Sequence, residues 1–296
     1  MKTEQNRVGF IGIGLMGLPM CHRLLSNQVD LTVFNRNSKK CVPLTLAGAH
    51  QAESIADIAE TCDIIMICVS NTQSVEEVTE HLLPNLCDRH LIVDFSSISP
   101  DATHDLAAKV SQKGASWLDC PVSGGVAGAE AGTLVMMAGG SQLNLDRAMP
   151  LLMSLGQRVT LMGGTGAGQT TKICNQMIVS CNVLVMAEVL AMAKKSGVDA
   201  SKIPQALKGG FADSIPLQLT GSRMALQEFD EIKWHVKTLL KDLDMANTLA
   251  KNVGSEVPMA ELGVELMRQH ANKGFAEQDP ATFIGLYEDI NLLAKK

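Results

Sequence analysis

Two short stretches carry the side chains best suited to chemistry. The first, Gly166-x-Gly168-x-x-x-Lys172-x-x-Asn175-Gln176, opens a long apolar helix. Residues three or four apart share a helix face, so Lys172, Asn175 and Gln176 point toward one place. A lysine beside so apolar a helix sheds part of its hydration, which suits it to give a proton to a hydroxyl oxygen or take one away. A solvated surface lysine at a helix start competes with that role. The second stretch is Asp119-Cys120-Pro121-Val122-Ser123-Gly124-Gly125, just after a strand. Two glycines behind a hydroxyl leave backbone N–H groups open to an anion, and a substrate carboxylate fits Ser123, Gly124 and Gly125. Taken alone, the stretch is equally readable as an ordinary Pro/Gly loop.

A third cluster lies near the start. The strand Val8-Gly9-Phe10-Ile11 runs into Gly12-Ile13-Gly14-Leu15-Met16-Gly17 and then a helix, the setting that the G-x-G-x-x-G fingerprint requires. Gly12 allows the tight turn, Gly14 lets a pyrophosphate approach the backbone, and Gly17 permits close helix packing. The pyrophosphate would rest on amides at the helix N-terminus. A purely structural glycine turn is the alternative. Cofactor choice is read at the end of the second strand, where an acidic residue would bond the adenosine ribose and repel a 2′-phosphate. Here the strand ends Phe34-Asn35-Arg36, with Lys39 and Lys40 close behind. Arg36 offers a planar cationic fork to a phosphate, so NADP is expected as the preferred cofactor and NAD as a possible one. Solvated charges at a helix start would look the same.

The elements that must position these groups follow two regimes. From Arg7 to about Gly164, short β-type runs alternate with helical ones, the pattern of βαβ units and a mainly parallel sheet. Strands are expected at RVGFI, DLTVF, IIMICV, HLIVDF, SWLDC, TLVMMAG and QRVTLMG. Helices are expected over Leu15 to Ser26, Ser74 to Leu82, Pro100 to Lys113 and Leu143 to Leu155. Beyond the glycine-rich run at 163–168 the apolar spacing becomes helical and strands vanish. The expected fold is α/β: a Rossmann-type doubly wound domain over 1–164, then an all-helical domain over 165–296. Helices in the latter are expected over Gln169 to Ser196, Ile203 to Lys208, Leu217 to Ala225, Trp234 to Asn252, Ala260 to Lys273 and Ala281 to Leu293. The first of these is apolar nearly all round, which calls for cover on more than one side and suggests a homodimer or homotetramer.

Composition narrows the partners. With 46% hydrophobic residues over 296 positions the chain can bury full cores. A net charge of -6 supplies no basic field, so nucleic acid is not an expected partner. The eight Cys form no C-x-x-C pair and no metal-like spacing with His; they read as buried thiols of a cytoplasmic protein, with no metal site. The apolar run from Ile173 to Ala193 approaches a membrane span in length. Asn175, Gln176, Asn182 and Glu188 would be costly in lipid, so a core helix and no membrane partner are expected.

The clusters, in this order, resemble the β-hydroxyacid dehydrogenase family, the group of 3-hydroxyisobutyrate dehydrogenase, tartronate semialdehyde reductase and glyoxylate/succinic semialdehyde reductases. The resemblance rests on VGFIGIGLMGLPM, DFSSISP at 94–100, DCPVSGGVAGAEAGTL, GAGQTTKICNQ and LLKDLDMA at 239–246, and it spans essentially the whole chain. It implies a nicotinamide-dependent oxidoreductase acting on a small carboxylic acid, with Lys172 as the catalytic lysine and Ser123 to Gly125 as the carboxylate loop. It further implies cofactor contacts at Val69, Ser70, Asn71 and Ser97, and at Lys241, the second-domain lysine near the nicotinamide between the domains. Many members carry a second Asn where this chain has Gln176, and either amide, Asn175 or Gln176, could orient the substrate. Rival functions are a phosphogluconate dehydrogenase, which has a longer helical domain; an imine reductase, which commonly replaces the lysine; and a non-catalytic dinucleotide sensor or scaffold.

Overall fold

The computed structural model describes residues 7–290. The chain forms two compact units, divided between Lys172 and Ile173.

The first unit is built on one sheet of nine strands: β1 (Val8–Ile11), β2 (Leu31–Phe34), β3 (His50–Gln51), β4 (Ile64–Ile67), β5 (Leu91–Asp94), β6 (Ser116–Asp119), β7 (Val122–Ser123), β8 (Leu134–Gly139) and β9 (Gly156–Gly163). The order is β3-β2-β1-β4-β5-β6-β8-β7, with β9 paired to β8. The first six strands are parallel and follow the doubly wound order of a Rossmann fold. β8 runs antiparallel to β6 and β7.

Strands β1, β4 and β5 are buried at every position, which explains why they read as unbroken apolar runs. Successive side chains leave opposite faces of the sheet. Phe10, Ile64 and Met66 join one core with Met20 and Leu24; Ile11, Ile65 and Ile67 join the other with Ile58 and Trp117. The helices that cover these faces are α1 (Gly17–Ser26), α2 (Val42–Leu46), α3 (Ile55–Thr61), α4 (Thr72–Leu82), α5 (Pro100–Ser111), α6 (Gly125–Ala131) and α7 (Gln142–Leu155). Ser99 caps α5 ahead of Pro100, and Ser141 caps α7.

Helix α8 (Ala167–Lys195) begins in the first unit and continues into the second. The second unit adds α9 (Ile203–Leu207), α10 (Ser222–Leu226), α11 (Val236–Val253) and α12 (Pro258–His270), and it holds no strand among the described residues. Its core joins Val183, Ala187 and Leu190 of α8 to Leu239 and Leu243 of α11 and to Val264 and Met267 of α12.

Two expectations need correction. In place of a helix over Ala281 to Leu293, a 3₁₀ segment spans Pro280–Leu286. The chain then turns so that Ile290 packs where Gly285 has no side chain; residues 291–293 lie outside the described residues. The cysteines are not uniformly buried: Cys87 and Cys174 are exposed. Helix α8 exposes Ile178, Val185, Val189 and Met192 in one stripe, and its other side packs into the core of the second unit.

Candidate functional site

The strands β2, β1, β4, β5 and β6 are adjacent and parallel, so their carboxyl ends share one edge of the sheet. Every first-unit candidate except Lys172 and the β7 loop follows one of these ends directly. Gly12 to Gly17 follow β1, Asn35 and Arg36 follow β2, Val69 to Asn71 follow β4, and Ser97 follows β5. The strand order reverses between β1 and β4, the place where open α/β sheets bind ligands.

The three fingerprint glycines have different physical reasons. A Cβ on Gly12 would stand 2.2 Å from the Cys68 carbonyl oxygen, and its φ of 105° lies in the region glycine favours. A Cβ on Gly17 would meet the Gly12 carbonyl oxygen at 2.0 Å, so α1 packs directly on the turn. Gly14 is exposed, and nothing of the chain comes within 4 Å of where its Cβ would be. No packing inside the protein demands glycine there, whereas a pyrophosphate lying on the backbone would. The first unit therefore fits a dinucleotide at this turn.

Two candidate side chains prove to be engaged locally. Asn35 accepts the Ile13 N–H at 2.9 Å and donates to the Asn37 carbonyl at 3.0 Å, so it braces the fingerprint turn. Asn71 accepts the Ser74 N–H at 2.9 Å and thereby caps α4. Arg36, Lys39 and Lys40 are exposed, and none of them enters an ion pair among the described residues.

The Ser123 loop sits between β7 and α6. Gly124 (φ 133°) and Gly125 (φ 63°) are both exposed, and a Cβ on Gly125 would meet open space. Asp119 closes β6 ahead of this loop, and the sequence did not disclose its role. Its fully buried carboxylate accepts the Gly166 N–H at 2.8 Å and the Gln169 N–H at 3.0 Å. One side chain thus bolts the end of β6 to the turn that begins the helix of Lys172. Gly168 lets this happen, because a Cβ there would stand 2.4 Å from the Met137 carbonyl oxygen and 2.7 Å from Asp119. Burial pushes the Asp119 carboxyl up, against the pull of the amides that bond it. Beside it on β5, burial first and then the Asp119 charge raise Asp94 to about 7, against the pull of Ser96, whose N–H donates to one Asp94 oxygen at 2.9 Å.

Lys172 is half-buried on α8. One turn on, in the second unit, the two amides differ. Gln176 is buried; its Oε1 accepts from Asn175 Nδ2 at 2.9 Å, and its Nε2 donates to Asp242 at 2.6 Å. The Lys241 ammonium lies 3.2 Å from the other Asp242 oxygen. Asn175 remains half-buried. Among the described residues no group of His, Cys, Asp and Glu could hold a metal ion.

Known proteins match this chain along its length. The family model for the NAD binding domain of 6-phosphogluconate dehydrogenase matches residues 7–164. The model for the NAD-binding region of NADP-dependent 3-hydroxyisobutyrate dehydrogenase matches residues 166–287. The 2-hydroxy-3-oxopropionate reductase of Escherichia coli K12 is 37% identical over 289 residues, 95% of this chain and 97% of that protein. The 3-hydroxyisobutyrate dehydrogenase of Pseudomonas aeruginosa is 31% identical, over 89% of this chain and 92% of its own length. In fold, the solved 3-hydroxyisobutyrate dehydrogenase of Mycobacterium tuberculosis with L-serine superposes with a TM-score of 0.88 over 96% of this chain and all of its own, at 24% identity. A sheet edge that fits a dinucleotide, the helix of Lys172 bolted to the end of β6, and relatives matched over nearly their full length place this chain in the β-hydroxyacid dehydrogenase family, as an oxidoreductase that uses a nicotinamide dinucleotide.

Proposed function

We propose that this enzyme interconverts a small β-hydroxy acid and its semialdehyde or oxo acid, with NADP(H) preferred over NAD(H). The observation that carries the proposal is the Asp119 carboxylate, because it fixes the end of β6, the strand that precedes the Ser123 loop, to the start of the Lys172 helix. Carboxylate binding and proton transfer then keep a constant separation, and held geometry of this kind contributes much of an enzyme's rate.

Ser123 and the amides of Gly124 and Gly125 hold the substrate carboxylate. Lys172 gives a proton to the carbonyl oxygen during reduction and takes it back from the hydroxyl during oxidation. Asn175, one turn along α8, is the amide assigned to the substrate; Gln176 is already engaged by Asp242 and serves to orient Asn175. Residues Gly12, Ile13, Gly14, Leu15, Met16 and Gly17 hold the pyrophosphate, with Val69, Ser70, Asn71, Ser97 and Lys241 as further cofactor contacts. When bound, the dinucleotide supplies or accepts the hydride. The preference for NADP(H) is supported by the exposed, unpaired cations Arg36, Lys39 and Lys40 after β2, and by the absence of an acid at Asn35.

The substrate is sought first among the semialdehydes, since the 37% identical relative is a 2-hydroxy-3-oxopropionate reductase. A panel of 2-hydroxy-3-oxopropionate, methylmalonate semialdehyde, glyoxylate and succinic semialdehyde, each with NADPH and NADH, tests this through the absorbance of the reduced nicotinamide. Turnover of at least one member, faster with NADPH, is expected; no turnover of any would overturn the substrate class. The apolar stripe on α8 supports assembly of the enzyme as a homodimer or homotetramer.

A further inference from the structure

We infer that Gln169 is a positioning residue for this reaction: its side-chain amide fixes the segment around Ser97 to the helical turn that carries Lys172. The inference rests on the assignment of Lys172 as proton donor. Gln169 is fully buried. Its Nε2 donates to the Ser96 carbonyl oxygen at 2.7 Å, and its Oε1 accepts the Ile98 N–H at 3.2 Å. One amide plane therefore grips the backbone on both sides of Ser97, as a peptide group of a neighbouring strand would.

The same residue is held at its other end, because its backbone N–H donates to Asp119. Hydrogen bonds continue outward from the gripped segment. The Ser96 hydroxyl accepts the Val69 N–H at 3.0 Å, and the Ser96 N–H donates to Asp94 at 2.9 Å. The segments that follow β4 and β5 and the end of β6 are thus joined through Gln169 to the start of α8. Lys172 lies three residues along, on the same side of the helix. A filler of space would need only volume, which methionine could supply. The paired donor and acceptor match one carbonyl and one N–H of the backbone, and that pairing is what positions Ser97.

Two variants separate the grip from bulk packing. In Gln169→Glu, a protonated carboxyl reproduces both hydrogen bonds, whereas the ionised form loses the donor and sets like charge beside Asp119. Burial raises such a carboxyl above its ordinary range. Turnover near that of the native enzyme is expected in mildly acidic buffer, falling about tenfold further than native as the buffer turns alkaline. In Gln169→Met, turnover should fall by about tenfold or more at every pH. The Ile98 amide of the dinucleotide-free Met variant should also exchange its hydrogen about tenfold faster, while amides of β5 such as Ile92 keep native protection and report an intact sheet. Native turnover with native Ile98 protection in Gln169→Met, or a pH profile of Gln169→Glu that matches the native one, would overturn the inference. Native turnover in Lys172→Ala would overturn the proton-donor assignment instead, and would leave the Ile98 exchange result unchanged.

Discussion

Cofactor choice and the response to pH are tested at single residues. Arg36 stands exposed one residue beyond the Asn35 that braces the fingerprint turn. A guanidinium bonded to phosphate contributes roughly 1.5–3 kcal/mol. Arg36→Ala should therefore raise the KM for NADPH by about tenfold or more and leave that for NADH within about twofold; equal effects on both would remove Arg36 from phosphate recognition. Asp94 supplies the pH response. Its folded value of about 7 lies above the ordinary value of 3.8, so the native state keeps a proton that the unfolded chain has lost. The associated stability is full below about pH 4 and is lost as pH rises through about 7. Asp94→Asn should accordingly flatten the fall in melting temperature between about pH 4 and about pH 7. An unchanged slope would show that this carboxyl does not titrate in that window.

At the scale of elements, the turn after β1 gives a sharp contrast between two kinds of glycine. Gly14→Ala should keep the native melting temperature and weaken NADPH binding, read by fluorescence titration, because its Cβ would enter only the space assigned to the pyrophosphate. Gly17→Ala should destabilise the protein itself, since its Cβ would collide with the Gly12 carbonyl. Loss of binding without loss of stability in Gly17→Ala would contradict this division. Most of the sheet was legible in the sequence because strands buried on both faces, such as β4, leave continuous apolar runs. Helices α2, α3 and α6 are five to seven residues long, too short to show a helical period, and they were missed. The clusters of the site were legible where backbone chemistry restricts the residue type, as at Gly12 and Gly124. Asp119 and Gln169 were visible as residues but not as partners: their contacts lie 47 to 73 positions away, and no local pattern records a pairing created by folding. The exchange of Gln176 with Asp242 across 66 positions was hidden in the same way. It engages Gln176 and leaves Asn175 half-buried, a difference between the two amides that the sequence did not show.

For the whole molecule, assembly and turnover are the observables. The stripe of Ile178, Val185, Val189 and Met192 belongs at an interface if the enzyme is oligomeric. Ile178→Glu combined with Val185→Glu should shift light-scattering mass toward that of a single chain; an unchanged mass would place the interface elsewhere. The central claim is that the Lys172 ammonium supplies the proton to a carbonyl held by the Ser123 loop, and comparison of steady-state turnover between native enzyme and Lys172→Ala tests it most directly. With the best semialdehyde of the panel and saturating NADPH, turnover should drop by about 10²–10⁴-fold while the NADPH dissociation constant stays near native. Near-native turnover in that variant, with NADPH still bound, would contradict the claim.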